Sequence, residues 1–64
     1  SDQITDQVIG IDAQQTALTR QSDLIKQELV GKEELQRQGL VRAPEILALQ
    51  REEARLAGSV GSMT

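Results

Sequence analysis

The chain has 64 residues, with no aromatic side chain, no His and no Cys, and its formal net charge is −3. A chain this short forms at most one small domain, and it lacks the aromatic groups that usually dominate a compact core. We do not expect nucleic-acid binding, because the sequence has no basic patch and no aromatic ring to stack against bases. Without cysteine there is no disulfide framework.

The sequence offers little for catalysis or for holding a cofactor. It contains no Gly-rich phosphate loop and no spacing typical of metal ligands. The adjacent carboxylates Glu33 and Glu34, like Glu52 and Glu53, point about 100° apart on a helix and therefore do not share an acid–base site. We expect a protein that is not an enzyme, with no metal, no cofactor and no small-molecule substrate.

No segment of the sequence is suited to targeting or to spanning a membrane. No apolar run approaches the roughly 20 residues that a transmembrane helix needs, and no signal-peptide pattern is present. We interpret the chain as a segment of a longer protein.

The first half of the chain has the heptad pattern of a long helix. Apolar residues, with polar ones at Gln15 and Ser22, recur at spacings of three and four, which predicts a coiled-coil seam. Asp2 and Asp6 suit a helix N-terminus, where Ser1 or Asp2 would act as the cap. The seam residues are Ile4, Val8, Ile11, Gln15, Leu18, Ser22, Ile25 and Leu29.

A second stripe on the same helix consists of Ala17, Leu24, Gly31 and Leu35. Either the apolar face drifts along the helix, or the helix has two contact sides, as in a helix with neighbours in a bundle or ring. Gly31 marks either a close approach of another backbone or ordinary tolerance of glycine. The spacings Glu28–Lys32 and Glu33–Arg37 predict ion pairs along the helix.

The sequence LQRQGLVRAP, residues 35–44, ends this helix. Gly39 fits the left-handed position of a Schellman ending, with Gln38 as the C-cap and an apolar contact between Leu35 and Leu40. Arg37 lies in the last turn, where a cation meets the negative helix end.

A second helix is predicted from Pro44, because proline favours the first helical position. Ala43 would be its N-cap, which lacks a side-chain acceptor and leaves the N–H groups of Glu45 and Ile46 to water or to a partner. The local rules favour an end near Gly58. The seam of this helix is Ile46, Leu49, Glu53, Leu56, Val60 and Met63.

The two helices differ in length. Folded back, the second helix covers the first only from about residue 16, so residues 1 to about 15 extend beyond it by some 20 Å at roughly 1.5 Å per residue. Their apolar residues must meet another chain or a continuation of the second helix. The fold class is therefore an all-α, antiparallel coiled-coil hairpin, with residues 1–38 as the first helix, 39–43 as the tip turn and 44–64 as the second helix, frayed after about residue 58.

The turn carries more apolar surface than a turn requires. One interpretation is structural, with Leu40 closing the Schellman motif and Val41 sealing the hairpin end. The other is that an exposed apolar tip binds a partner.

The sequence ELVGKEELQRQGLVRAPEILALQREEARLAG, residues 28–58, resembles the α-helical hairpin of the HlyD-like membrane fusion proteins, the periplasmic adaptors of type I secretion systems. The match is carried mainly by LQRQGLV and LQREEARLAG. Related adaptors place an Arg, a Leu and a Ser at fixed spacing near the tip. Leu35 fits the Leu, whereas Gly31 stands at the Arg position and Arg42 at the Ser position. Lys32 or Arg42 would then supply the positive charge.

The resemblance implies a homo-oligomer, expected to be a hexamer, of a periplasmic protein anchored in the inner membrane. The hairpin tips would dock on a TolC-like outer-membrane channel, and the rest of the parent protein would meet an ABC transporter. The partner-binding tip would comprise Leu35, Gly39, Leu40, Val41 and Arg42.

The alternative is a structural coiled-coil module that only self-associates. In either case the residues assigned to self-association are Ile4, Val8, Ile11, Leu18 and Ile25.

Overall fold

The computed structural model describes residues 2–62, which form two helices, α1 (Gln3–Arg37) and α2 (Ala43–Ser62). A short turn reverses the chain between them, and the helices pack side by side in a rod of 55 × 15 × 12 Å. The predicted all-α helical hairpin is confirmed. Neither helix is both long enough and apolar enough to cross a bilayer, within the residues described.

Helix α1 begins at the cap that the sequence predicts. Asp2 has extended backbone angles, and its Oδ1 accepts a hydrogen bond from the Ile4 N–H at 3.0 Å. This bond satisfies one of the N–H groups that a helix start leaves without a partner. Ser1, the other predicted cap, lies outside the described residues.

The core follows the two predicted seams. Leu29, Ile46 and Leu56 are buried, and Leu56 is only 1% exposed. In a two-helix hairpin only the other helix can cover such side chains, so these seams face each other across the hairpin. Ser22 is buried on the same face, and the half-buried members are Gln15, Leu18, Ile25, Leu49, Glu53 and Val60. Leu18 and Ile25, assigned from the sequence to self-association, thus lie in the seam within the hairpin.

Within the described residues, the first part of α1 has no helix beside it. All residues from 2 to 14 are exposed, including Ile4 at 70% and Val8 at 60%. The apolar stripe of this overhang continues the seam that α2 covers farther along. Helix α2 is too short to cover this part of the seam.

Helix α2 does not end at Gly58, where the local rules favour an end, but continues to Ser62. The Ser59 hydroxyl donates to the Arg55 carbonyl oxygen at 3.2 Å, and the Ser62 hydroxyl donates to that of Ser59 at 2.9 Å. Val60 is half-buried in the seam, so packing against α1 outweighs the low helix propensity of glycine. Met63, the last residue of the predicted seam, lies outside the described part.

The ion pairs differ from those that the helical spacings predict. Lys32 pairs with Glu45 of α2 at 3.4 Å rather than with Glu28. Arg37 pairs with Glu34 at 2.6 Å rather than with Glu33. Helical neighbours three and four apart are nearly equivalent, and a nearby second helix offers a further partner.

Candidate functional site

The hairpin tip begins with the hydrogen bonds that close α1. The Leu40 N–H donates to the Leu35 carbonyl oxygen, and the Gly39 N–H donates to the Gln36 carbonyl oxygen, both at 2.9 Å. These two bonds define the Schellman ending that the sequence predicts, with Gln38 as the C-cap. The turn is therefore fixed by its own backbone, before any partner contributes.

Gly39 makes this turn possible. Its φ is +78°, and no non-glycine residue of the described chain has a positive φ. A side chain at this position would bring Cβ close to the following carbonyl oxygen, which is why glycine is favoured here. The glycine thus sets the direction in which residues 40–42 leave α1.

The five residues predicted for partner binding lie together on this turn, but they are exposed to different degrees. Leu40 is 69% exposed and Leu35 is 38% exposed, whereas Val41 is half-buried. Arg42 is exposed. Val41 accordingly fits the sealing role, and Leu40 projects most of its side chain into solvent.

The start of α2 differs in detail from the prediction. The helix begins at Ala43 instead of Pro44, so Ala43 is its first residue and not its cap. The Glu45 N–H donates to the Arg42 carbonyl oxygen at 3.1 Å. The expectation that the Glu45 N–H is left to water or to a partner was therefore wrong, since the preceding backbone supplies the acceptor without any side-chain cap.

Two charged side chains and one amide are hydrogen-bonded to one another at the tip, on the α1 side. Glu34 Oε2 accepts from Arg37 at 2.6 and 3.0 Å, and its Oε1 accepts from the Gln38 side chain at 3.3 Å. Hydrogen bonding to Arg37, with a smaller contribution from Gln38, lowers the pKa of the Glu34 carboxyl from its ordinary value. This cluster keeps Glu34 ionised and holds the Arg37 guanidinium against the last turn of α1.

A second pair joins the helices next to the tip. Lys32 Nζ donates to Glu45 Oε2 at 3.4 Å. These residues lie seven positions before and six positions after Gly39, so the hairpin places them at nearly the same level. Helical spacing alone does not predict this pair, whereas the near-equal distance of both residues from the turn glycine does.

Arg42 is the cation of the tip that has no such partner. Lys32 is engaged by Glu45 and Arg37 by Glu34. Between residues 2 and 62 the Arg42 side chain makes neither an ion pair nor a side-chain hydrogen bond. The tip therefore presents one uncompensated guanidinium two residues after its most exposed leucine.

The chemistry of this site is that of a contact surface. No group of three or more metal-ligating side chains occurs among the described residues. What the tip offers is an apolar side chain, a cation and a backbone held in one conformation. These are the elements of protein–protein recognition.

Comparison with known proteins identifies the family to which this hairpin belongs. Neither the curated proteins nor the solved structures gave a match to the chain. The family model described as AprE, long alpha-helical hairpin, matches residues 1–64, which is the whole chain. The chain therefore belongs to the AprE long α-helical hairpin family, and AprE is an adaptor of type I secretion.

Proposed function

We propose that this hairpin is the periplasmic bridging segment of a type I secretion adaptor and that its tip docks on a TolC-like outer-membrane channel. The parent protein would be anchored in the inner membrane, and its other parts would meet an ABC transporter. In this role the hairpin spans a distance and presents a tip.

The observation that carries this proposal is the exposure of Leu40 on a rigid turn. At 69% exposure, the side chain contributes little to the hairpin's own packing. Its backbone is nevertheless fixed by the bond from its N–H to the Leu35 carbonyl oxygen. A preorganised apolar group loses little conformational entropy on binding, which is what an effective interface anchor requires.

The long sides of the rod would serve assembly. Leu24 of the second stripe is 51% exposed, and Leu47 on α2 is 47% exposed. An added Cβ at Gly31 would meet nothing within 4 Å, so nothing inside the hairpin requires a glycine there. We propose that this stripe packs against neighbouring hairpins of a homo-oligomer, expected to be a hexamer, and that Ile4, Val8 and Ile11 take part in self-association.

In vivo photo-crosslinking in the complete adaptor tests the docking. A photoreactive residue placed at position 40 is expected to crosslink to the outer-membrane channel in cells that also contain the exporter. Position 30 is the matched control, because Val30 is also 69% exposed but lies on the side of the rod. Channel adducts from both positions, or from neither, would contradict docking through the tip.

The alternative function is a coiled-coil module that only self-associates. The exposed overhang favours it, since Ile4 and Val8 have no cover within the described chain. Sedimentation of the chain against an Ile4→Asp/Val8→Asp variant tests whether the overhang drives association. Association that disappears in the variant, together with the absence of any channel adduct from position 40, would favour this alternative over docking.

A further inference from the structure

Helix α2 carries a lengthwise stripe of its own, on the side that faces away from the seam. Leu47, Arg51, Ala54 and Gly58 recur at spacings of four, three and four, and all four are exposed. Residues at such spacings share one face of a helix. These four residues form the α2 stripe, the counterpart of the second stripe of α1. Each hairpin therefore has one such stripe on either helix.

The number of positions between a residue and Gly39 gives the level of that residue along the rod. Lys32 and Glu45 lie seven positions before and six positions after Gly39, and they are in contact at 3.4 Å. Gly31 lies eight positions before Gly39, and Leu47 lies eight positions after it. The leucine of the α2 stripe is therefore level with the glycine of the second stripe.

The same match of a large residue with a small one recurs farther along the rod. Leu24 and Ala54 each lie fifteen positions from Gly39, with the leucine now on α1. Leu24 is 51% exposed and Leu47 is 47% exposed, and an added Cβ at Gly31 would meet nothing within 4 Å. Within one hairpin these residues cannot meet, because both stripes face away from the seam. Between two copies with their tips level, each leucine would fill the hollow over the small residue opposite.

Opposite charges border the two stripes at a level between these matches. Glu28 lies eleven positions before Gly39 and Arg51 lies twelve positions after it, and both side chains are exposed. Neither forms an ion pair within residues 2–62, a property that they share with other charged side chains of the hairpin. Their common level is what distinguishes them. Between two copies packed in this way, the carboxylate of one would face the guanidinium of the other.

From these observations we infer that the second stripe of one copy packs against the α2 stripe of a second copy, with the two rods parallel and their tips level. Such a contact specifies the assembly part of the proposed function, on which the inference rests. It joins two different surfaces, so each copy keeps one stripe free for a further neighbour. The leucines supply the buried area, and the pairing of Glu28 with Arg51 of the second copy sets the register.

Disulfide crosslinking in a cysteine-free complete adaptor tests this contact. Copies with Gly31→Cys are produced together with copies of a different size that carry Leu47→Cys, and the cells are treated with a mild oxidant. A disulfide between positions 31 and 47 is expected, since this bond requires Cα atoms about 4.4–6.8 Å apart. Leu24→Cys with Leu47→Cys is the matched control. Both lie on the same two stripes, but their levels differ by seven positions, or about 10 Å, so the yield should be about tenfold lower.

Exchange of the two charges tests whether they set the register. Arg51→Glu is expected to reduce the disulfide between positions 31 and 47 about tenfold, because like charges then face each other. Adding Glu28→Arg to the same chain should restore the yield to within about threefold of the original. Circular dichroism of the purified adaptors checks that both variants keep their helices.

Several results would overturn the inferred contact. Equal yields from the matched and the control positions, or a predominance of disulfides between two copies of position 31 or two copies of position 47, would exclude the level packing of unlike stripes. An unchanged yield in Arg51→Glu, or a loss that Glu28→Arg does not restore, would exclude the charge pairing. Docking of the tip is judged separately, since it fails only if no channel adduct forms from position 40 in the otherwise unsubstituted adaptor.

Discussion

Lys32 of α1 and Glu45 of α2 form an ion pair of 3.4 Å that ties the two helices together next to the tip. Both side chains are partly exposed, so water and salt screen the attraction. The pair favours the antiparallel register in which residues equally far from Gly39 face each other. The neighbouring pair of Arg37 and Glu34 lies within α1 and does not join the helices.

The energetic coupling of this pair is measurable by a double-mutant cycle. Lys32→Gln and Glu45→Gln should show a coupling of about 0.2–1 kcal/mol in thermal or urea unfolding of the chain. A cycle is needed because Glu45 also lies in the first turn of α2, where a carboxylate is favoured on its own. Lys26→Gln combined with Glu45→Gln is the control and should be additive. Additivity of the first pair would show that the contact contributes nothing to stability.

Gly39 and Gly58 should respond to alanine with opposite signs. Gly39→Ala forces a Cβ into the left-handed region and should destabilise the hairpin by about 1–2 kcal/mol. Gly58 lies within α2, where an added Cβ meets nothing within 4 Å. Gly58→Ala should therefore stabilise the hairpin by up to about 1 kcal/mol. Circular dichroism during thermal unfolding measures both changes. Equal effects of the two substitutions would contradict the assigned turn geometry.

Leu56 is the most deeply buried side chain described, and its truncation should be the most damaging. Leu56→Ala should cost about 2–5 kcal/mol, enough to remove most of the cooperative unfolding of so small a chain. Leu47→Ala, at a leucine that is 47% exposed on the same helix, should cost about 1 kcal/mol or less. Helicity and the steepness of the unfolding curve report the difference. Similar losses in both variants would mean that the seam does not hold the hairpin together.

The hairpin should lose stability in acid through two carboxylates. Hydrogen bonding to Arg37 lowers the pKa of Glu34, and hydrogen bonding to Arg55 lowers the pKa of Glu52. A lowered pKa contributes stability that is fully present above the ordinary glutamate value of about 4.3 and is lost as the pH falls through the lowered value in the folded chain.

Acid titration of helicity in variants tests this contribution. A Glu34→Gln/Glu52→Gln double variant should be less helical than the unsubstituted chain at neutral pH, and the difference should shrink as the solution becomes acidic. An Arg37→Gln/Arg55→Gln variant removes the same bonds from the other side and should behave alike. A difference that persists unchanged in acid would exclude these carboxylates as the source.

The apolar tip gives the functional prediction. In the complete adaptor, Leu35→Asp and Leu40→Asp should each abolish secretion while the protein still folds and oligomerises. Leu40→Asp is the cleaner test, because Leu35 is only 38% exposed and takes part in the Schellman motif. Secretion assays with and without the channel, together with oligomer analysis, provide the measurement. Normal secretion from both variants would rule out docking through the tip.

The sequence predicts the backbone of this hairpin better than its side-chain partners. The roles of Asp2 and Gly39 are predictable from the local sequence. A capping side chain bonds to its own helix, and a left-handed backbone position strongly favours glycine. The pairing of Lys32 with Glu45 depends on a second helix, so helical spacing alone predicts the wrong partner. The continuation of α2 past Gly58 has the same origin, because packing against α1 compensates for the weak propensity of glycine.

The sequence predicts which residues form the candidate site, but not that they are exposed to different degrees. In the folded hairpin Val41 is half-buried whereas Leu40 is 69% exposed, a distinction that depends on the three-dimensional arrangement. Likewise, the unpaired state of Arg42 follows from where the neighbouring carboxylates lie. Charge counts in the sequence carry no such information.

Backbone hydrogen bonds within the turn close the tip. The length of the hairpin can therefore change without a change in the structure of its tip. Adding one heptad to each helix would lengthen the rod by about 10 Å and return every seam residue to the same face. The turn around Gly39 would not change, because its hydrogen bonds extend no farther than Glu34 and Glu45. In the proposed docking role, a hairpin of this kind would be a spacer whose length can vary while its tip stays the same, so that it could fit gaps of different width.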